Sequence, residues 1–279
     1  EITQQVGEAM AALDESGGTK SGDLTKTIIR NYEKSFARIA PDEAIKKQVA
    51  WELFLPKANA NNCTAFDFSN CNAVSDTTGA TTYQRTRNLT GCTTTAGGNI
   101  SGSVALTFKG TGAATCTIPA SGDAVVRTAS IGVNGLRGAV FGMQNVYAEG
   151  QTVSRTGVAS YTFNDSGTTR TFTDPSSTQL LSLLSSTPTP LVISGANRNT
   201  RSITGGSLTV LNRLNSVSCN FTPTGVTWTS SCNCPNSGSW AATCSDSTNF
   251  NIAFTSTCGQ VTLTTGVSTT STVVLDRCE

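Results

Sequence analysis

Histidine is absent from the 279-residue sequence, so nucleophilic or acid–base chemistry would have to use other residue types. A Ser-His-Asp triad, a zinc site containing histidine and a histidine pH switch are therefore excluded. A serine activated by lysine typically lies in the pattern Ser-x-x-Lys. None of the seven lysines has serine three positions before it, and Lys109 is the only lysine beyond residue 60. We predict no catalytic residue, no cofactor and no enzymatic activity.

Carboxylates offer a second route to catalysis. Nine Asp and Glu residues follow residue 60, and a glycoside hydrolase needs two carboxylates about 5–10 Å apart. A calcium loop needs several oxygen ligands, whereas Asn164-Asp165-Ser166 and Asp246-Ser247-Thr248-Asn249 each hold one carboxylate. Turns favour aspartate for its local hydrogen bonds. We predict turns and no metal site here, and keep a two-carboxylate hydrolase as an alternative.

Trp228 and Trp240 are the most suggestive pair for ligand binding, because they flank the cysteine-containing segment 232–238. If both indoles are exposed, they are suited to stacking on sugar rings, as aromatic side chains do at recognition surfaces. If both are buried, they fill the core of a β-sandwich. A carbohydrate-binding module that uses Trp228 and Trp240 is therefore a further alternative.

The cysteines indicate an oxidising compartment. Their number is even and they lie in a chain rich in Ser and Thr, which favours disulfides. Cys232-Asn233-Cys234 has CxC spacing with no second pair, unlike the CxxC pairs of a structural zinc site. The connectivity stays open. The ten residues expected to form disulfides are Cys63, Cys71, Cys92, Cys116, Cys219, Cys232, Cys234, Cys244, Cys258 and Cys278.

Charge changes sharply along the chain. Of the first 60 residues 17 are charged, against 20 of the remaining 219. No basic cluster suits a nucleic-acid partner. No apolar stretch approaches the 20 or so residues that span a bilayer, so we predict no membrane-spanning segment. Because the chain begins at Glu1, we expect that an export or anchoring segment preceded it.

Residues 1–60 have a helical pattern and form the first predicted domain. Apolar residues recur every three or four positions in three stretches, which run from Ile2 to Leu13, from Leu24 to Ile39 and from Ile45 to Leu53. Breaks follow at Gly17-Gly18, Pro41 and Pro56. This segment either packs on the rest of the chain or docks on another subunit.

Beyond residue 60 the apolar period changes to two, which predicts many short antiparallel strands. Asn134-Gly135 and 164–167 have residue types typical of hairpin connections. The exception is Gln179–Leu184, predicted as a short helix, followed by an extended connector at 186–190. Similar strand–loop–cysteine patterns at 100–119 and 203–223 suggest two β-sandwich modules, 61–190 and a cysteine-rich 191–279.

The fold class is thus mainly β, with a helical N-terminal segment and one or two disulfide-stabilised antiparallel β-sandwich modules. This layout resembles that of bacterial pilin and fibre subunits. We expect a non-catalytic, exported structural or adhesive protein of the cell surface, with a binding surface rich in Ser, Thr and Asn. Its expected partners are other surface proteins, copies of itself or glycans.

Overall fold

The computed structural model describes residues 73–88, 92–93, 99–115, 118–134, 143–173, 176–196, 198–229, 231–232, 234–266 and 269–274. The predicted helical segment 1–60 lies outside these residues. Within them are 15 strands and two short 3-10 helices, with no α-helix. The 3-10 helices are Ala113–Thr115 and Arg198–Thr200. The strands are β1 (Ala73–Thr78), β2 (Thr82–Asn88), β3 (Cys92–Thr93), β4 (Asn99–Lys109), β5 (Ala124–Asn134), β6 (Met143–Gly157), β7 (Ser160–Asp165), β8 (Thr168–Thr173), β9 (Gln179–Ser194), β10 (Ser202–Asn212), β11 (Val217–Thr227), β12 (Ser237–Cys244), β13 (Asn249–Phe254), β14 (Gln260–Thr265) and β15 (Thr269–Val274).

These strands form one antiparallel meander in the order β1-β2-β4-β5-β6-β7-β9-β10-β11-β12-β13-β14-β15. The short β3 pairs with β4, and β8 pairs with both β6 and β9. Each strand of the main path therefore lies beside its neighbours in sequence or nearly so, which is the commonest connectivity of antiparallel sheets. The prediction of a mainly β, antiparallel and disulfide-bonded chain is confirmed.

The predicted hairpin at 164–167 is wrong. Strands β7 and β8 do not pair with each other; both lie between β6 and β9 and run in the same direction. They are two halves of one interrupted strand. The interruption at Ser166-Gly167 is held by hydrogen bonds from Ser166 N–H to the carbonyl of Gly150 and from Glu149 N–H to the carbonyl of Gly167.

The predicted helix at Gln179–Leu184 is also wrong, because these residues begin the 16-residue strand β9. β9 is paired on both sides. Ser182 and Leu183 are adjacent and both buried, so neither face of the strand is exposed to solvent here. A short apolar run of this kind has no periodicity that distinguishes a buried strand from a helix.

The expected connector 186–190 is part of β9 as well. It spans the gap between the pairing of β9 with β8, which ends at Ser185, and its pairing with β7, which begins at Leu191. Proline cannot donate a backbone hydrogen bond, so it is tolerated where a strand lacks a partner on one side. Pro188 and Pro190 occupy this gap.

A single apolar cluster extends from β4 to β14. Its members alternate along each strand with outward polar residues, as in Phe221, Trp240 and Ile252 on three adjacent strands. The disulfide Cys219–Cys244 joins directly opposite residues of β11 and β12 on this apolar side. The disulfide Cys232–Cys258 ties the segment before β12 to the segment before β14.

The predicted module boundary lies within a strand, and the described cysteines agree with the predicted disulfides. The expected division between modules 61–190 and 191–279 would fall inside β9, which pairs with β7 and β8 on one side and β10 on the other. The division stays a prediction. The described cysteines are not free, and Cys234 is disulfide-bonded in addition to the two pairs above.

The Cys219–Cys244 disulfide allows a matched stability test. Replacing both cysteines with alanine should lower the free energy of unfolding by roughly 3 kcal/mol, because the bridge closes a loop with a sequence separation of 25. The control is Asn220→Ala with Thr243→Ala, the next cross-strand pair, whose side chains face outward. Urea unfolding should show a change below about 1 kcal/mol for the control. Equal losses in the two double variants would contradict the assignment of the bridge.

Candidate functional site

The strands from β9 to β15 contain no Asp, Glu, Lys or Arg. On β10–β15 most apolar residues face the core, so the other side of the sheet is built mainly from small uncharged polar side chains and alanine; Leu211 and the exposed Val274 are the exceptions. We call the outward side chains of β10–β15 the hydroxyl–amide face. Its solvation depends on hydroxyl and amide groups, since these strands supply no ionic group.

The hydroxyl–amide face is organised in rows that cross the strands. Neighbouring strands are about 4.8 Å apart and alternate residues of one strand about 6.7 Å apart, so the rows form a regular grid. Three rows follow from the strand register, namely Thr209-Asn220-Thr243-Asn249, Thr222-Ala241-Asn251-Thr264-Thr270 and Thr224-Ser239-Ala253-Thr262-Thr272.

Side-chain hydrogen bonds order parts of this grid. The Oγ1 of Thr243 donates to Oδ1 of Asn249 at 2.8 Å, and the Oγ1 of Thr209 donates to Oδ1 of Asn220 at 3.3 Å. Cross-strand pairs of this kind each add a few tenths of a kcal/mol to roughly 1 kcal/mol of sheet stability. The remaining donors and acceptors point outward from a face of fixed geometry.

The predicted ligand-stacking residues Trp228 and Trp240 are brought to the core. Their exposed fractions are 3% and 0%, respectively. The guanidinium carbon of Arg201, itself buried, lies 5.9 Å from the centroid of the Trp228 ring, within the range of a cation–π contact. A sugar cannot stack on either indole in this arrangement, so both tryptophans act as packing residues.

The burial of these indoles predicts their fluorescence and their contribution to the free energy of unfolding. In a Trp51→Phe background, which removes the third tryptophan, emission from Trp228 and Trp240 should be blue-shifted and insensitive to iodide. Trp240→Ala should lower the free energy of unfolding by about 3–5 kcal/mol, the usual cost of removing a buried aromatic ring. Strong iodide quenching of the folded Trp51→Phe protein would show that the two indoles are accessible.

A second site lies inside the sheet, where the β7–β8 strand is interrupted. Arg127 on β5, Gln151 on β6 and Asp165 on β7 are opposite one another in a single cross-strand row. Thr168, the first residue of β8, completes the group. We call these four residues the junction cluster. Their exposed fractions are between 2% and 8%, so the cluster is a polar island in the core.

Hydrogen bonds connect every member of the junction cluster. Arg127 Nη2 donates to Oε1 of Gln151, which leaves the Nε2 of Gln151 to donate to Oγ1 of Thr168 at 2.9 Å and to Oδ2 of Asp165 at 3.4 Å. Thr168 Oγ1 donates to Oδ1 of Asp165 at 2.9 Å. Ser185 Oγ and the Gly167 N–H also donate to this carboxyl group, at 3.2 and 3.1 Å.

Burial raises the pKa of Asp165 above its ordinary value, although hydrogen bonds from Thr168, Gln151, Ser185 and the Gly167 backbone act in the opposite direction. A carboxyl group with a raised pKa is a stronger base when it is ionised and a usable acid when it is neutral. Among the described acidic residues, Asp165 is thus the one whose surroundings suit proton transfer.

Asp123 has the opposite environment. It is buried by residue exposure, which tends to raise its pKa, but hydrogen bonds from Thr111, Gly112 and Ala120 outweigh this effect and lower it. Both carboxylate oxygens accept from Thr111 Oγ1, and the backbone N–H groups of Thr111, Gly112 and Ala120 complete the set. The carboxylate therefore fixes the loop between β4 and β5.

Asp165 and Asp123 should make opposite contributions to the pH dependence of stability. The raised pKa of Asp165 gives a contribution that is complete below about pH 3.8 and is lost as pH rises through the folded-state pKa. The lowered pKa of Asp123 gives a contribution that is present above about pH 3.8 and is lost as pH falls through the folded-state pKa.

Urea unfolding of the wild type, Asp165→Asn and Asp123→Asn from acidic to neutral pH checks this prediction. The stability advantage of the wild type over Asp165→Asn should shrink as pH rises, whereas its advantage over Asp123→Asn should grow. Two differences that stay constant with pH would contradict the assigned environments.

Two other sequence-predicted candidates for chemistry lie at a turn and at the end of a strand. Asp246 lies in the turn between β12 and β13, where it accepts a hydrogen bond from the Thr248 N–H at 3.0 Å. Lys109 is exposed at the end of β4. No group of three or more Cys, Asp or Glu side chains in the described residues is placed to hold a metal ion.

Sequence reasoning missed three members of the junction cluster. Arg127 and Gln151 occupy inward positions of strands whose other inward residues are apolar, such as Val125 and Val153. A polar residue at such a position must find a buried partner. This signal is present in the alternation of β5 and β6, but the partner of each residue depends on the strand register.

No family model, curated protein or solved structure matches this chain. The fold and its sites therefore define the protein as a disulfide-bonded antiparallel β protein, which belongs in an oxidising compartment. In the described residues, no helix is long and apolar enough to cross a membrane.

Proposed function

We propose that this protein is a non-catalytic structural or adhesive component of a cell surface or extracellular fibre. The observation that carries the proposal is the hydroxyl–amide face, a rigid and charge-free grid over six strands. A surface of this kind is suited to contact with another uncharged, hydrogen-bonding surface, such as a glycan, a surface protein or a second copy. Extracellular localisation is part of the same proposal.

The adhesive role is supported by how the face is held. Its side chains belong to strands rather than loops, so little conformational entropy is lost when a partner binds. The Cys219–Cys244 bridge ties β11 to β12 beneath it, and the Cys232–Cys258 bridge ties the segments that precede β12 and β14. A covalently fixed grid retains its geometry under conditions that loosen a sheet held by packing alone.

Self-association is supported by the edge of the sheet. Strand β15 pairs with β14 in an uninterrupted register and has no described partner on its other side. Natural edge strands are usually protected by charges, proline or bulges, and β15 has none of these in its sequence TTSTVV. At the other end, β1 carries Asp76, which forms an ion pair of 2.7 Å with Arg85.

The two alternative functions have weaker support. A carbohydrate-binding module centred on Trp228 and Trp240 would need ring faces that are buried here. A two-carboxylate hydrolase would need a glycan to reach Asp165, whose exposed fraction is 2%. Glycan binding by the hydroxyl–amide face itself remains within the adhesive proposal.

Charged substitutions on the hydroxyl–amide face test the proposed function. Thr222→Lys, Thr243→Lys and Thr272→Lys together place one cation in each row, at exposed positions that do not contribute to the core. The triple variant should fold normally, and its affinity in adhesion or self-association should fall at least tenfold. The reason is that contact with an uncharged partner would remove water from each new ammonium group. Sedimentation velocity measures self-association, and binding to immobilised matrix proteins and a glycan array measures adhesion.

A second triple variant controls for added charge. Ser121→Lys, Val158→Lys and Ser256→Lys place the same three charges at exposed loop positions away from the face. These changes should leave adhesion and self-association unchanged. If the wild type is monomeric and binds no surface in these assays, the proposal is wrong; equal losses in both variants would show that net charge, not the face, controls binding.

A further inference from the structure

The junction cluster brings together a nucleophile, an electrophile and a proton carrier in a buried site. Thr168 supplies a hydroxyl group, Gln151 a carboxamide and Asp165 a carboxyl group, within hydrogen-bonding distance of one another. Such a group can be a purely structural network, in which every member is satisfied. Its members are also the groups that an acyl transfer requires, held side by side in a buried site.

We propose that Thr168 and Gln151 become joined by an intramolecular ester bond between Oγ1 of the threonine and Cδ of the glutamine. The hydrogen-bonded arrangement described above is the state that precedes this bond. The reaction occurs once in each folded chain, so it is a self-modification and not an enzymatic turnover. It adds a covalent tie to the structural role proposed above but does not depend on that role.

The carbonyl group of Gln151 is activated by Arg127. The guanidinium group donates to Oε1, which draws electron density from Cδ. Attack at Cδ places negative charge on Oε1, and a fixed cationic donor in a buried site stabilises that charge. The same contact orients the carboxamide, because a guanidinium group can only donate and must therefore face the oxygen atom.

The hydroxyl group of Thr168 is positioned and deprotonated by its neighbours. Its Oγ1 lies 2.9 Å from Gln151 Nε2, in contact with the group it would attack, and 2.9 Å from Oδ1 of Asp165. A rotation about the Cγ–Cδ bond turns the plane of the carboxamide, so that the face of the Cδ carbonyl is presented to this oxygen. Asp165 is therefore the general base, within the distance that proton transfer requires.

The atoms of the step balance without any further reactant. Asp165 takes the proton from Thr168 Oγ1 as the Oγ1–Cδ bond forms, and the tetrahedral intermediate carries its charge on Oε1 of Gln151. The Cδ–Nε2 bond then breaks as Asp165, through its contact with Nε2, returns the proton to the nitrogen. One ammonia molecule leaves. No atom is oxidised or reduced.

Burial explains why the ester would persist. All four residues are at most 8% exposed, so water has little access to the new bond, whereas ammonia is small and is protonated once it reaches solvent. The bond would join β6 to the start of β8 and close the chain around β7. It would thus reinforce the interrupted strand, far along the chain from the disulfides described beyond residue 218.

Intact mass spectrometry of the full chain with its disulfides reduced tests the proposal. The wild type should be lighter than its sequence mass by one ammonia molecule. Digestion should release a branched peptide that joins the segments containing Gln151 and Thr168. Mild alkali should hydrolyse the branch and leave a glutamate at position 151. A wild-type mass equal to the sequence mass, with no branched peptide, would overturn the inference.

Variants identify the reacting groups. Thr168→Val keeps the shape but removes the hydroxyl group, so it should have its full sequence mass, whereas Thr168→Ser should again lose ammonia. Thr169→Val is the matched control, because Thr169 is the next residue of β8 and its side chain faces the opposite side of the sheet. It should retain the cross-link. Circular dichroism checks that each variant folds, and the wild-type mass stands independently of them.

An ammonia loss has a competing source in asparagine chemistry. Succinimide formation at Asn134-Gly135 removes the same mass but joins no two peptides. Tandem mass spectrometry separates the two chemistries by the site of the loss. A loss confined to Asn134, or one that persists unchanged in Thr168→Val, contradicts the proposed ester.

Discussion

Alternation of side chains along antiparallel strands is the constraint on which the core and the outer surface both depend. Because successive residues face opposite sides, every apolar residue that reaches the core of β10–β15 is separated from the next by one that faces outward. Phe221 and Trp240 are accordingly interleaved with Thr222 and Ala241. The register that buries the core therefore also sets the grid of the hydroxyl–amide face, and a slip of one residue would exchange them.

The absence of charge on these strands makes the covalent ties more important. A charged outer side would disfavour alternative registers and edge-to-edge contacts, which hydroxyl and amide side chains do only weakly. The Cys219–Cys244 bridge fixes one register between β11 and β12, because only directly opposite inward residues can be joined there. The disulfides thus provide specificity that the composition of the strands does not.

Sequence patterns predicted the class of the fold well, because a period of two with β-branched residues has few competing interpretations. Segments such as Gly102–Phe108 and Phe250–Phe254 lie in strands as expected. The errors lie where long-range pairing decides the structure. Gln179–Leu184 has a pattern that fits a helix or a doubly paired strand, and 164–167 has the residues of a hairpin turn but lies at a break within one strand.

The same limit applies to the sites. Trp228 and Trp240 were identifiable as large aromatic residues near cysteines, but their exposure depends on which strands cover them. Asp165 was identifiable as an acid, but Gln151 lies 14 residues before it and 17 residues before Thr168, and only the strand register brings the three side chains together. A buried polar row requires three strands to be aligned at once, and no local pattern contains that information.

The junction cluster differs from the rest of the core because it lies at an interruption in a strand, where backbone groups need polar partners. An interruption in a strand leaves backbone groups to be satisfied and weakens the pairing on both sides. Here Gly167 N–H is satisfied by Asp165, and Asp165 N–H by the hydroxyl group of Thr187. The carboxyl group that repairs the break is therefore placed, by the same requirement, beside Thr168 and Gln151. The polar chemistry of the site follows from the irregularity of the strand, which explains why it lies at the interruption and not elsewhere along β6.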